Sequence, residues 1–142
     1  MNKVMLIGNL GKDPQVRYFE ADQAVAQFPL ATTERGYTLQ NGTQVPEHTD
    51  WHNIVMWKNL AKIAERYLHK GDKVYIEGRI RYRSYDDKKG LRQYVTEIYA
   101  ENMEILTPRS NREEANMMSA ASSNAANQQA QSNSDATDKL PF

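Results

Sequence analysis

VYIEGRIRYRSY, residues 74–85, reads as a β-strand with two unlike faces. Side chains alternate sides along a strand, so Val74, Ile76, Ile80 and Tyr82 go one way while Glu77, Arg79, Arg81, Arg83 and Tyr85 go the other. The first set is a core face and places Tyr82 in the interior. The second is a cationic row that ends in a ring. Guanidinium groups beside a flat ring suit a polyanion that carries flat rings of its own, which describes unpaired nucleic acid. The same row also fits the solvated face of an edge strand, where cations discourage aggregation. The rest of the chain has to separate the two.

Neighbouring segments supply a topology. Residues 3–10, KVMLIGNL, form a strand whose nearly continuous apolar character calls for burial on both faces or against another subunit. Gly8, Gly11 and Asp13-Pro14 then break it. Residues 24–33, AVAQFPLATT, are β-rich, with Pro29 marking an edge or a bulge. Residues 36–46, GYTLQNGTQVP, are a loop or hairpin tip with an Asn41-Gly42 turn and one large ring, Tyr37. In residues 51–57, WHNIVMW, Trp51, Asn53, Val55 and Trp57 share a side, opposite His52, Ile54 and Met56. Two tryptophans on a strand are commonly core. Here Ile54 and Met56 already provide an apolar opposite face, which frees the indoles for another use.

The period changes over residues 59–70. Leu60, Ile63, Ala64, Tyr67 and Leu68 recur at helical spacing, with Asn59 as N-cap and Gly71 following the end. Strand 74–85 turns through Asp86-Asp87-Lys88-Lys89-Gly90 into a last strand within residues 91–106. Five strands with one helix between the third and fourth make an all-β fold with one helix, the five-stranded OB barrel. Its usual oligonucleotide groove uses strands two and three and the adjoining loops.

Composition sets the outer limits. The 142 residues allow one domain with a core and a further segment. Up to Leu106 there are 15 Lys and Arg against 14 Asp and Glu, and 3 against 4 after it, so only a local gathering of cations can attract a polyanion. Cysteine is absent, which excludes disulfides, thiolate metal sites and cysteine nucleophiles. The opening MNKVMLIGNLGKDP has too short an apolar run for a membrane span, and Asn9, Lys12 and Asp13 do not resemble a signal cleavage region. A soluble cytoplasmic protein is expected, with no membrane partner.

After Thr107-Pro108 the character shifts. From Ser119 to Ser134 the chain is Ala, Ser, Asn and Gln, without charge or a large apolar group. Such a segment cannot offset the entropy of ordering, so disorder is expected from about Ser110 onward. The domains then run 1–106, the folded body; 107–134, a disordered linker; and 135–142, a tip. In the tip, Asp135 and Asp138 precede Leu140, Pro141 and Phe142, an exposed apolar end on a tether, suited to docking on other proteins.

On several segments the chain resembles the bacterial single-stranded DNA-binding proteins. They are Asn2-Lys3-Val4 with GNLGKDP at 8–14, Val16-Arg17-Tyr18, TDWHNIVMW at 49–57, LAKIAERYLHKGDKVYIEGRIR at 60–81, and the closing LPF. The resemblance implies an OB-fold homotetramer that wraps unpaired DNA, without cofactor or metal, and a tail tip that recruits replication and repair enzymes. It implies stacking by Trp51, Trp57, Tyr85 and, in a longer loop, Tyr37. It implies basic contacts from Lys3, Arg17, Lys70, Arg81 and Arg83; Lys58, Lys62 and Arg79 are added from the local pattern. His52 resembles a subunit-interface position, while a half-buried strand histidine satisfied by a neighbour fits equally. The tip departs from the family pattern: two spaced aspartates and Lys139 replace a denser acidic run, and Leu140 replaces isoleucine. That implies docking that is weaker or tuned to other partners. Tyr85 and Tyr37 stand where tryptophan is common.

Binding without chemistry is the expected function, and nucleic-acid binding, recombination, repair and replication the expected setting. An OB module that grips RNA, such as a translation or primosome-type factor, is the alternative within the binding class. The enzymatic alternative uses His48, Asp50 and His52, which share a strand face and offer two imidazoles and a carboxylate to a metal.

Overall fold

The structure, a computed structural model, describes residues 1–20 and 22–108. The linker and the tip residues Asp135, Asp138, Leu140, Pro141 and Phe142 lie outside the described residues. Packing of the backbone delimits a folded unit, Met1–Leu106.

The long strands are β1 (Val4–Leu10), β2 (Gln15–Phe19), β3 (Gln23–Glu34) and β6 (His48–Trp57), then β7 (Lys73–Asp86) and β8 (Arg92–Ile105). Two short strands, β4 (Tyr37–Thr38) and β5 (Gln44–Val45), form a separate ribbon, and the single helix α1 covers Asn59–Tyr67. The main sheet runs β1-β7-β8-β6-β3-β2, and an extra β1–β3 pairing at Asn9/Ala31 and Leu10/Leu30 closes five of these strands into a barrel. This is the expected OB architecture, with the helix after the barrel's third strand and before its fourth. β2 was not anticipated. Its run QVRYF is β-prone but sits between two breaks, and it adds to the free edge of β3.

In β6 and β7 the interior follows the alternation read from sequence at Ile54, Met56, Val74 and Ile76, while Ile80 is half-buried. Phe28, Leu30, Ile54, Met56, Val74, Ile76 and Ile98 point inward and are buried, with Ala61 and Ala64 of α1 packed on them. Burial of such side chains contributes about 1.5–3 kcal/mol each. Gly78 is demanded by the barrel: a Cβ there would lie 2.2 Å from the Tyr99 carbonyl oxygen, beside the bulge that bends β7.

Five expectations change. Tyr82 is 77% exposed and not core, because β7 and β8 run past the barrel's end as a two-stranded hairpin with no interior to enter. β1 is not buried on both faces within one chain: Met5 and Ile7 are exposed. The helix stops at Tyr67, and its buried stripe is Leu60, Ala61, Ala64 and then Leu68, which leaves Ile63 and Tyr67 outside. Asn59 is the first helical residue; the cap is Lys58, at φ 55°, whose N–H still donates to the Ala24 carbonyl as strand gives way to helix in one residue. Gly71, at φ 90°, occupies a separate turn in which the Asp72 N–H donates to the His69 carbonyl.

Candidate nucleic-acid interface

Register assembles the site. Residues directly opposite in neighbouring strands project from the same face. Across β2, β3 and β6 this aligns Arg17 with Val25 and Trp57, Gln15 with Gln27 and Val55, Pro29 with Asn53, and Ala31 with Trp51. β6 meets β8 in parallel at Val55/Tyr99, and β8 meets β7 at Tyr99/Arg79, Glu97/Arg81, Val95/Arg83 and Gln93/Tyr85. One outward face therefore carries Trp51, Trp57, Tyr85, Arg17, Arg79, Arg81 and Arg83, as the alternation required.

The rings are available. Trp51 is 62% exposed and Trp57 43%, while Ile54 and Met56 on the reverse side of the same strand are fully buried. The Trp51 ring lies over Gly11, where an added Cβ would come within 2.4 Å of it. Trp57 tilts against Tyr99, centroids 6.2 Å apart, and the Arg81 guanidinium lies 6.0 Å from the Tyr99 ring centre. The Arg83 guanidinium is 5.7 Å from the centre of the Tyr85 ring. Cations interleave with rings, the arrangement that sequence-tolerant stacking on a charged strand needs.

Not every basic residue is equally free. Arg83 is held by Glu97, with Nε–H donating to Oε1 at 2.9 Å and Nη2 in an ion pair with the same oxygen at 2.8 Å, and that contact raises the guanidinium's affinity for its proton still further. Lys3 pairs with Glu77 at 2.5 Å; hydrogen bonding to the lysine holds the Glu77 carboxyl below the usual carboxylate range and lifts Lys3 above the usual lysine range. Arg79 lies 3.6 Å from Glu101. Among the described residues neither Arg17 nor Arg81 has a carboxylate partner within ion-pair distance. The Lys70 N–H donates to Asp13 Oδ1 at 2.7 Å, which sets Lys70 beside the β1–β2 turn at one end of the face.

Other positions fall apart from this face. Tyr37 is exposed on the β4–β5 ribbon, which shares no ladder with the main sheet. Lys58 and Lys62 are exposed at the start of α1, and register does not bring them onto the ring-bearing face. His52 is half-buried on the inward side, with Nε2 2.8 Å from the Thr32 hydroxyl. That separates it from His48, which pairs with Asp50 at 2.9 Å on the surface. Among the described residues no group of three or more His, Cys, Asp or Glu side chains is placed to hold a metal ion.

Two aromatic members were missed. Tyr99 was hidden because the β7–β8 register is set by a bulge that no local pattern announces. Phe19 is exposed at the end of β2, in phase with Arg17, and reading QVRYF as a strand would have found it.

An OB barrel whose outward sheet face alternates exposed indoles with guanidinium groups is a nucleic-acid-binding module of the single-strand type. The chain belongs to the single-strand binding protein family, whose model matches residues 1–106. It is 62% identical over 109 residues to a single-stranded DNA-binding protein of Bacteroides thetaiotaomicron, covering 77% of this chain and 68% of that protein. A Neisseria meningitidis single-stranded DNA-binding protein is 48% identical over 106 residues, covering 75% of this chain and 60% of that one. Single-stranded DNA-binding protein 1 of Chlorobaculum tepidum is 50% identical over 107 residues, covering 75% and 65%. Among solved structures, a Plasmodium falciparum SSB complex with ssDNA superposes with a TM-score of 0.67 at 32% identity, covering 75% of this chain and 96% of that one.

Proposed function

We propose that the protein binds single-stranded DNA without sequence specificity and protects it during replication, recombination and repair. The observation that carries this is the split of β6: its inward residues fill the core while Trp51 and Trp57 stand exposed beside Arg17, Arg79 and Arg81. Each base stacked on a ring contributes about 1–3 kcal/mol, and cations along the path neutralise phosphates and release counterions. Duplex DNA hides the base faces the rings need, so preference for single strands follows from geometry. The protein performs no chemistry in this role.

The finer assignments extend the same reading. The nucleic-acid surface comprises Trp51, Trp57, Tyr85, Arg17, Arg79, Arg81 and Arg83, with Lys3 and Lys70 at its ends; Tyr37, Lys58 and Lys62 join it where the strand leaves the barrel. The exposed Met5 and Ile7 on β1 support assembly into a homotetramer, with His52 at the interface. The tip Asp135, Asp138, Leu140, Pro141 and Phe142 recruits replication and repair proteins. The setting is the cytoplasm, at the nucleoid; among the described residues no helix is long and apolar enough to cross a membrane.

Titration of tryptophan fluorescence with poly-dT tests the main claim. Strong quenching is expected, with the logarithm of affinity falling against log salt by about 0.7 per phosphate neutralised. Equal affinity for duplex DNA, or for RNA of the same length, would reject the assignment.

A further inference from the structure

Past the barrel's end the β7–β8 hairpin carries the two most exposed rings among the described residues, Tyr94 at 81% and Tyr82 at 77%. Register sets both on one side: Tyr82 stands opposite Thr96 and Tyr94 opposite Ser84, which makes the rings diagonal neighbours across the ladder. This side continues the inward face of Ile80 and Ile98, and it is the reverse of the side that bears Arg81, Arg83 and Tyr85. Arg92 shares it. Its Nε and Nη2 both donate to Ser84 Oγ at 3.3 Å, which lays the guanidinium beside the residue that faces Tyr94 and lies two positions from Tyr82. Asp86 stands opposite Arg92, yet among the described residues Arg92 has no carboxylate within ion-pair distance. Rings beside a guanidinium repeat the pattern of the other side, where Arg83 lies 5.7 Å from the centre of the Tyr85 ring.

We propose that this reverse side is a second stacking surface for single-stranded DNA, on which Tyr82 and Tyr94 each take a base and Arg92 takes a phosphate between them. The inference rests on the single-stranded DNA reading of the opposite side. Here the hairpin is one sheet layer thick, so a strand that leaves Tyr85 reaches the reverse side by passing around it. Lys88 and Lys89 mark one way round, at a tip whose own acid, Asp87, is occupied by the Lys89 and Leu91 N–H groups. The open edge of β7 marks the other. There the Asn2 side chain closes on the Ile80 N–H and carbonyl, and past Ile80 no described strand pairs with that edge. Alternation turns the N–H groups of Tyr82 and Ser84 to the same edge, where they can donate to phosphate oxygens. Stacking is indifferent to base identity, so the second surface lengthens the site without adding a sequence preference.

A dT oligomer long enough to pass the hairpin tests this. Tyr82→Ala and Tyr94→Ala are each expected to weaken binding about fivefold or more, the loss of one stacked base, while Tyr82→Phe and Tyr94→Phe, which keep the ring, restore it. Ala variants that bind undiminished, or Phe variants as weak as the Ala ones, overturn the proposal. So does a change of oligomeric state in the Ala variants by light scattering, which assigns the rings to a second copy of the chain. On the wild-type protein, photo-cross-linking with a 5-iodouracil oligomer is expected to label Tyr82 or Tyr94. Labelling confined to Trp51, Trp57 and Tyr85 overturns the second surface, and this arm decides by itself should an Ala variant not fold. A wild-type protein that binds no dT rejects the single-strand reading instead.

Discussion

Trp51 owes its position to a residue with no side chain. Its ring occupies the space a Cβ on Gly11 would take, 2.4 Å away. Gly11→Ala is expected to swing the indole off its seat and weaken single-stranded DNA binding several-fold, while the melting temperature changes little; an unaltered affinity would show that the seat is irrelevant. Charge partners divide the cations in the same way. Arg83 and Lys3 already have carboxylates, Glu97 and Glu77, whereas among the described residues Arg17 and Arg81 have none within ion-pair distance. Arg17→Ala and Arg81→Ala should therefore each flatten the salt dependence of binding by about 0.7, the value for one phosphate contact on a single strand. Arg83→Ala should change that slope less while lowering stability, since it strands a buried carboxylate. Equal slope changes in all three variants would contradict this division. From sequence these three arginines looked equivalent; alternation gives a side chain's direction and says nothing of a partner brought in by another strand.

The β7–β8 hairpin shows how local chemistry shapes an element. Asp87 Oδ1 accepts the Leu91 and Lys89 N–H groups at 2.9 Å, and Gln93 donates to Oδ2, so the turn closes on one carboxylate. The backbone hydrogen bond from Leu91, followed by that from Lys89, holds the Asp87 carboxyl below its usual range. A depressed carboxylate stabilises the folded turn above the ordinary aspartate range, and the contribution fades as pH falls through its lowered value. Amide exchange at Lys89 and Leu91 should thus accelerate on acidification relative to the barrel, and Asp87→Ala should show the fast rate already at neutral pH; protection that ignores both would refute the cap. Strand faces were legible in sequence wherever both sides were populated, as in β6. They failed at Tyr82, where the strand outruns the core, and in the helix, where Leu68 reaches the interior from an extended residue past the last turn. β2 escaped notice because its partner is supplied only by the folded β3 edge.

For the molecule as a whole, the order of strands and helix was enough to imply the barrel, because few folds place one helix between the third and fourth of five strands. The site was legible to the extent that it sits on β6 and β7. Its groove was not, since that depends on β6 and β8 parting after two residue pairs. A net charge of zero proves compatible with a cationic face because Arg17, Arg79, Arg81 and Arg83 share one side of the barrel while acids such as Glu77 and Glu97 are taken up as ion-pair partners. The same economy sets the two indoles free, since Ile54 and Met56 complete the interior without them. Trp51→Ala and Trp57→Ala, each assayed for poly-dT affinity and for thermal melting, bear on this most directly. Each is expected to lose about 1–3 kcal/mol of binding with a melting curve close to wild type, whereas a variant that unfolds, or that folds and binds DNA undiminished, contradicts the account.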